Sequence, residues 1–115
     1  MKKIFTVLVL LCATLVASAQ DVPSSFPRKY LIEHFTGDQC GYCPYGMYSI
    51  MEYSANTTTP CIWVSHHYGY NNDEYTIPES AKIGSTCGVQ GAPNMAMNRT
   101  KIMGTAIAFH PGSLT

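Results

Sequence analysis

Cys40-Gly41-Tyr42-Cys43 is the segment of this chain best suited to covalent chemistry. Two cysteines separated by two residues can form and break a bond with each other. A thiolate at one of them attacks disulfides at neutral pH once its pKa falls below the ordinary value of about 8.5. A helix N-terminus supplies that shift, because its unpaired N–H groups and its dipole favour negative charge. Pro44 follows Cys43 where a first helical turn tolerates proline, and Met47, Ile50, Met51 and Ser54 or Ala55 recur at helical spacing, so a helix is predicted over 41–55. Cys40 is therefore the expected nucleophile. Cys43 is the expected resolving thiol, which attacks Cys40 in a mixed disulfide and returns the pair to its oxidised form. The other readings of such a pair are an inert disulfide and half of a zinc site. Zinc needs two further ligands, and of His66 and His67 only one shares a face with any given site, since strand neighbours point opposite ways. Neither a metal nor a cofactor is expected.

The elements that must position the pair are legible on both sides of it. Residues 29–36 are rich in aromatic and aliphatic side chains, fit a largely buried strand, and end at Gly37-Asp38. After the helix, 56–60 is a breaker ending in Pro60, and 61–66 is a second strand-like run, which makes a β-α-β unit. Residues 68–77, with Tyr68, Tyr70, Asp73, Glu74 and Tyr75, read as an exposed polar loop. A short helix is predicted over 78–83, with Pro78 at its start and Glu79 in its first turn. A glycine-containing loop over 88–93 leads into weak strands at 94–99 and 102–109, with Met95 and Met97 alternating as core residues. The fold class is α/β.

The first residues set the compartment. Lys2 and Lys3, an apolar run over 4–16 and then Ala17-Ser18-Ala19 follow the order of a secretory signal, with cleavage expected before Gln20. The run is short for a membrane span of roughly 20 residues, so the exported protein is expected to be soluble or peripherally attached. Cys12 leaves with the signal. Residues 20–28, with Pro23 and Pro27, read as a linker, and 29–115 as one domain. The whole chain of 115 residues carries seven basic and seven acidic side chains; loss of Lys2 and Lys3 leaves a net charge of −2. No basic patch points to nucleic acid. Cys40, Cys43, Cys61 and Cys87 remain, and in an oxidising compartment a structural Cys61–Cys87 disulfide is expected, the alternative being two buried free thiols.

Beyond the pair itself, Phe35 lies five residues before Cys40, and Gly91-Ala92-Pro93 lies about fifty residues after it, ahead of another strand. In this order the chain resembles thioredoxin-like proteins. The resemblance implies a three-layer sandwich with a mixed sheet, Pro93 as a cis-proline facing the cysteines, and Ala92 as the residue whose backbone pairs with an extended substrate segment. It also implies a proton-transfer group six residues before the first cysteine. Members of the family usually carry a buried acid there, and this chain has His34, with Gln39 in place of the usual tryptophan before Cys40. Gly41-Tyr42 and the Gly88–Pro93 pattern resemble periplasmic disulfide isomerases. The phrases Glu33-His34-Phe35-Thr36-Gly37 and Cys40-Gly41-Tyr42-Cys43-Pro44, with Pro93 and Asn98-Arg99, resemble the twenty-eight-kilodalton outer-membrane-protein family of Gram-negative bacteria. That likeness spans 30–99 and implies a periplasmic or outer-membrane-associated protein whose partners are protein thiols or disulfides of the cell envelope.

Two functions follow. One is an exported thiol-disulfide oxidoreductase; the other is a non-catalytic envelope or surface protein that keeps the fold and its disulfide for stability or binding. Pro111-Gly112-Ser113 resembles a turn and a helix N-cap just where the chain stops, so the fold is expected to lack its C-terminal helix and to form a marginally stable monomer.

Overall fold

The computed structural model describes residues 25–114. The signal-like segment and the start of the linker lie outside the described residues. Strand β1 (Tyr30–Thr36) is followed by helix α1 (Cys43–Asn56), strand β2 (Cys61–His67), helix α2 (Pro78–Cys87) and strand β3 (Asn94–Met97). Single turns of 3-10 helix occur at Tyr70–Asn72 and Pro111–Leu114. β1 is central: it pairs in parallel with β2, from Tyr30↔Cys61 to Thr36↔His67, and antiparallel with β3, from Ile32↔Met97 to Phe35↔Asn94. The domain is a small mixed α/β unit with helices on both faces of a mixed sheet.

A strand with partners on both edges and helices on both faces is covered on every side, and β1 is buried from Ile32 to Phe35, including the polar Glu33 and His34. Alternation divides its side chains. Ile32 joins Met95, Met97, Phe109 and Ile50 of α1 in one cluster, while Phe35 joins Ala96, Ala108 and Cys87 of α2 in the other. His34 lies opposite Met95 across the ladder and so shares the α1 side with Ile32; Glu33 lies opposite Ala96 and shares the α2 side. The turn Pro111–Leu114 packs against α1, and Leu114 touches the first cluster.

Several boundaries differ from the sequence reading, each for a local reason. α1 starts at Cys43, because Gly41 and Tyr42 form the turn that leads into it. α2 runs past residue 83 to Cys87, where Gly88 at φ 75° ends it in the left-handed conformation that favours glycine. β3 stops at Met97 because Asn98 and Arg99 take φ values of 52° and 50°. Asn98 nevertheless stays tied to β1, its side-chain oxygen accepting from Leu31 N–H at 2.9 Å and its N–H donating to the Leu31 carbonyl at 2.8 Å. The strand expected over 102–109 is reduced to one bridge, Met95↔Phe109. The loop over 68–77 is only partly exposed, since Asp73 within it is buried.

Candidate functional site

The chain leaves the C-terminal end of β1 at Thr36, turns through 37–42 and enters α1 at Cys43. Gly37 O accepts from Cys40 N–H at 3.3 Å, and Cys40 O accepts from Cys43 N–H at 3.2 Å, so hydrogen bonds within the turn hold both cysteines. Their sulfurs are joined in a disulfide, with Cα atoms 5.4 Å apart. Both are largely covered: Cys40 is 8% exposed and Cys43 4%. Pro44 lacks an N–H, and the amides of Tyr45 and Gly46 both donate to Tyr42 O. Those donors are engaged within the turn, so the field of α1 is the main influence left to favour negative charge on Cys40 when the pair is reduced.

Ala92–Pro93 is a cis peptide bond, and Pro93 lies against α1. A Cβ placed on Gly46 would stand 2.6 Å from Pro93 Cβ and 3.0 Å from its Cγ. Gly46 is three residues into the helix that Cys43 opens, so the proline loop meets α1 one turn beyond the disulfide. β3, which follows Pro93 directly, fixes the loop from the other side through its ladder to β1. Cys40, Cys43, Ala92 and Pro93 are thus carried by neighbouring elements at one end of the sheet.

Outside this turn α1 is aromatic and uncharged up to Glu52. Tyr42, Tyr45 and Tyr48 are exposed, and a concavity of about 350 Å³ is lined by Pro44, Tyr45 and Tyr48. Glycine at 37 allows Tyr70 to close over the incoming turn: a Cβ there would stand 3.2 Å from Tyr70 Cβ.

His34 is completely buried on the α1 side of β1, and neither ring nitrogen has a hydrogen-bond partner; its ring meets Trp63 edge-on at 6.2 Å. Burial without a charged partner pushes its imidazole down to about 4. It is therefore neutral across the physiological range, with one nitrogen as donor and one as acceptor, and it does not titrate near pH 7 as a shuttle of ordinary pKa would.

Cys61 and Cys87 are free thiols, which corrects the expected structural disulfide. Cys61 packs with the α1-side cluster and Cys87 with the α2-side cluster, so the sheet itself lies between them. Burial raises the Cys87 thiol pKa, and the nearby Glu33 charge raises it further.

Two carboxylates escaped sequence reasoning. Glu33, 2% exposed, receives a forked pair of hydrogen bonds from Arg99 at 2.8 and 2.7 Å, and its Oε1 lies 3.1 Å from His66 Nε2. The Arg99 bonds hold its carboxyl below the usual carboxylate range against the opposing effect of burial. Asp73 Oδ2 lies 2.5 Å from His67 Nδ1, and Asp73 Oδ1 accepts from Tyr75 N–H at 3.0 Å. Nothing local in the sequence marks the Glu33–Arg99 pair. The closeness of His67 and Asp73 in a tyrosine-rich segment was the one available hint of the second pair.

Among the described residues no group of three or more histidines, cysteines, aspartates or glutamates is placed to hold a metal ion, and no helix is long and apolar enough to cross a membrane. Comparison with protein-family models, curated proteins and solved structures finds no match to this chain.

Proposed function

We propose that this chain is an exported thiol-disulfide oxidoreductase with a thioredoxin-like arrangement, acting on thiols or disulfides of other proteins in the cell envelope. The observation that carries the reading is the contact of Pro93 with Gly46, which brings a proline loop beside the helix that opens at the Cys40–Cys43 disulfide. A lone disulfide does not need such a loop. An exchange site does, because the loop offers backbone groups to an extended substrate while a neighbouring sulfur reacts.

The chemistry balances within the two partners. In the oxidising direction a substrate thiolate attacks Cys40 Sγ, the Cys40–Cys43 bond breaks, and Cys43 leaves as a thiolate that takes up a proton. A second substrate thiolate then attacks the substrate sulfur bound to Cys40. The substrate gains a disulfide, and the chain is left with two thiols. The reducing direction is the reverse: Cys40 thiolate attacks a substrate disulfide, and Cys43 then attacks Cys40 Sγ to release the reduced substrate. Ala92 pairs with the substrate strand in either direction. Neutral His34 offers a polar group on the sheet face that α1 covers.

Trapping tests this reading. In a Cys43→Ala variant the resolving thiol is gone, so mixed disulfides through Cys40 should accumulate with envelope proteins and disappear on reduction. An unreactive Cys40 at pH 7, with no trapped partner, contradicts the proposal. A second reading, a non-catalytic envelope protein whose disulfide serves stability, is favoured by the burial of Cys40 at 8% exposure. That reading gives no trapped species.

A further inference from the structure

Asp73 sits in the segment between β2 and α2 and touches neither cysteine in sequence, yet its surroundings lead straight to the turn that carries them. Its side chain is completely buried, a costly place for a carboxylate unless donors surround it. His67, the last residue of β2 and the register partner of Thr36 at the end of β1, supplies one donor, and Tyr75 N–H supplies another. Asp73 N–H in turn donates to Tyr70 O at 3.2 Å, which fixes the tight turn in which Tyr70 lies. Tyr70 packs closely over Gly37, where an added Cβ would stand 3.2 Å from Tyr70 Cβ, and Gly37 O accepts the Cys40 N–H. The carboxylate's bonds to His67 and Tyr75 fix Asp73 in place, and from its backbone N–H a connected set of contacts runs through Tyr70 and Gly37 to the backbone of Cys40.

We propose that Asp73 is a positioning residue for the cysteine turn, holding Tyr70 against Gly37 so that Cys40 is presented at the start of α1. The proposal rests on Cys40 being the attacking thiol, as in the function proposed above. Burial pushes the Asp73 carboxyl up, and the Tyr75 N–H and His67, with a smaller contribution from the Asp38 backbone, hold it below its usual range. Loss of the carboxylate frees Tyr70, loosens the turn and moves Cys40 relative to the helix field that favours its thiolate.

The test is the pH dependence of iodoacetamide alkylation at Cys40 in the reduced full chain, a probe that needs no protein substrate. Asp73→Asn keeps an acceptor oxygen and should leave the midpoint of the alkylation profile within about 0.3 units of the parent. Asp73→Ala removes the acceptor and should raise the midpoint by about one unit, a roughly tenfold loss of thiolate well below the midpoint. Tyr70→Ser, which keeps the carboxylate and removes only the ring over Gly37, should raise it likewise and serves if Asp73→Ala does not fold. Unchanged midpoints in the folded variants overturn the proposal, because a residue needed only for stability lowers the melting temperature without moving the thiol. Equal downward shifts in both Asp73 variants overturn it too, since they show the carboxylate acting only through its charge. Neither result touches the trapping experiment, so failure here is distinguishable from failure of the exchange reading.

Discussion

Pro93 rests on Gly46 with no room for a methyl group between them. The contact joins two segments nearly fifty residues apart in sequence: the loop that enters β3, and the helix whose first residue is Cys43. Pro111 closes the same gap from a third side, its Cγ lying 3.3 Å from where a Gly46 Cβ would be.

Gly46→Ala should therefore destabilise the domain even though alanine is the better helix former. The gain in helix propensity is about 1 kcal/mol, whereas forcing a methyl against two rigid proline rings costs on the order of 1–3 kcal/mol. The expected net loss is up to about 2 kcal/mol by urea denaturation, with slower disulfide exchange as the proline loop is pushed off α1. Equal or higher stability would show that the contact can relax freely.

His34 gives the domain an acid-sensitive stability of definite sign. Its imidazole stays neutral down to about pH 4 in the folded chain, against an ordinary value of 6.5. Below pH 6.5 the unfolded chain thus binds a proton that the folded one refuses, and stability falls as pH drops from about 6.5 towards 4. Over that window the loss should be about 2–3 kcal/mol, from 1.36 kcal/mol per unit. His34→Leu, measured by urea denaturation at pH 7 and pH 4.5, should abolish most of this difference. Glu33 and Asp73, whose carboxyls are both held low, add a further loss at still lower pH in both proteins. A parent protein equally stable at pH 7 and pH 4.5 would contradict the burial of an unpartnered imidazole.

Arg99 holds the buried Glu33 carboxylate in a forked pair. Arg99→Ala leaves that charge with His66 as its remaining side-chain partner, and the expected cost is about 2–3 kcal/mol, below the usual 3–5 for breaking a buried pair because His66 stays in reach. Arg99→Lys should recover only part of it, since an ammonium cannot reproduce the fork. Replacing both partners, Glu33→Met with Arg99→Ala, should restore more stability than Arg99→Ala alone retains.

The parts of the fold legible in the sequence are those written in local chemistry. A hydrophobic run, a Cys-x-x-Cys, a proline in the next turn and a second β-rich run fixed β1, α1 and β2 to within two or three residues. Met95 and Met97 are buried as their alternation suggested. What was not legible depends on partners far along the chain. Arg99 reaches Glu33 across 66 positions from a left-handed backbone conformation that no periodicity announces. Cys61 and Cys87 looked like a pair because an oxidising compartment was expected, but pairing depends on which sheet face each occupies, and α2 had to extend to Cys87 before that was defined. The 102–109 segment has strand-like composition, yet only Phe109 finds a bridge partner. In the site, both cysteines were readable directly, Ala92 and Pro93 only through resemblance, and the tie from Asp73 to the cysteine turn not at all.

The central claim is that Cys40 and Cys43 exchange disulfides with other molecules, and the most direct measurement is the rate at which the oxidised chain converts a dithiol peptide to its disulfide at pH 7. The parent and a Cys61→Ser/Cys87→Ser variant should react alike, each consuming one disulfide per chain, whereas Cys40→Ser should abolish the reaction. A disulfide that stays intact until the chain unfolds, or exchange that persists in Cys40→Ser, would contradict the account.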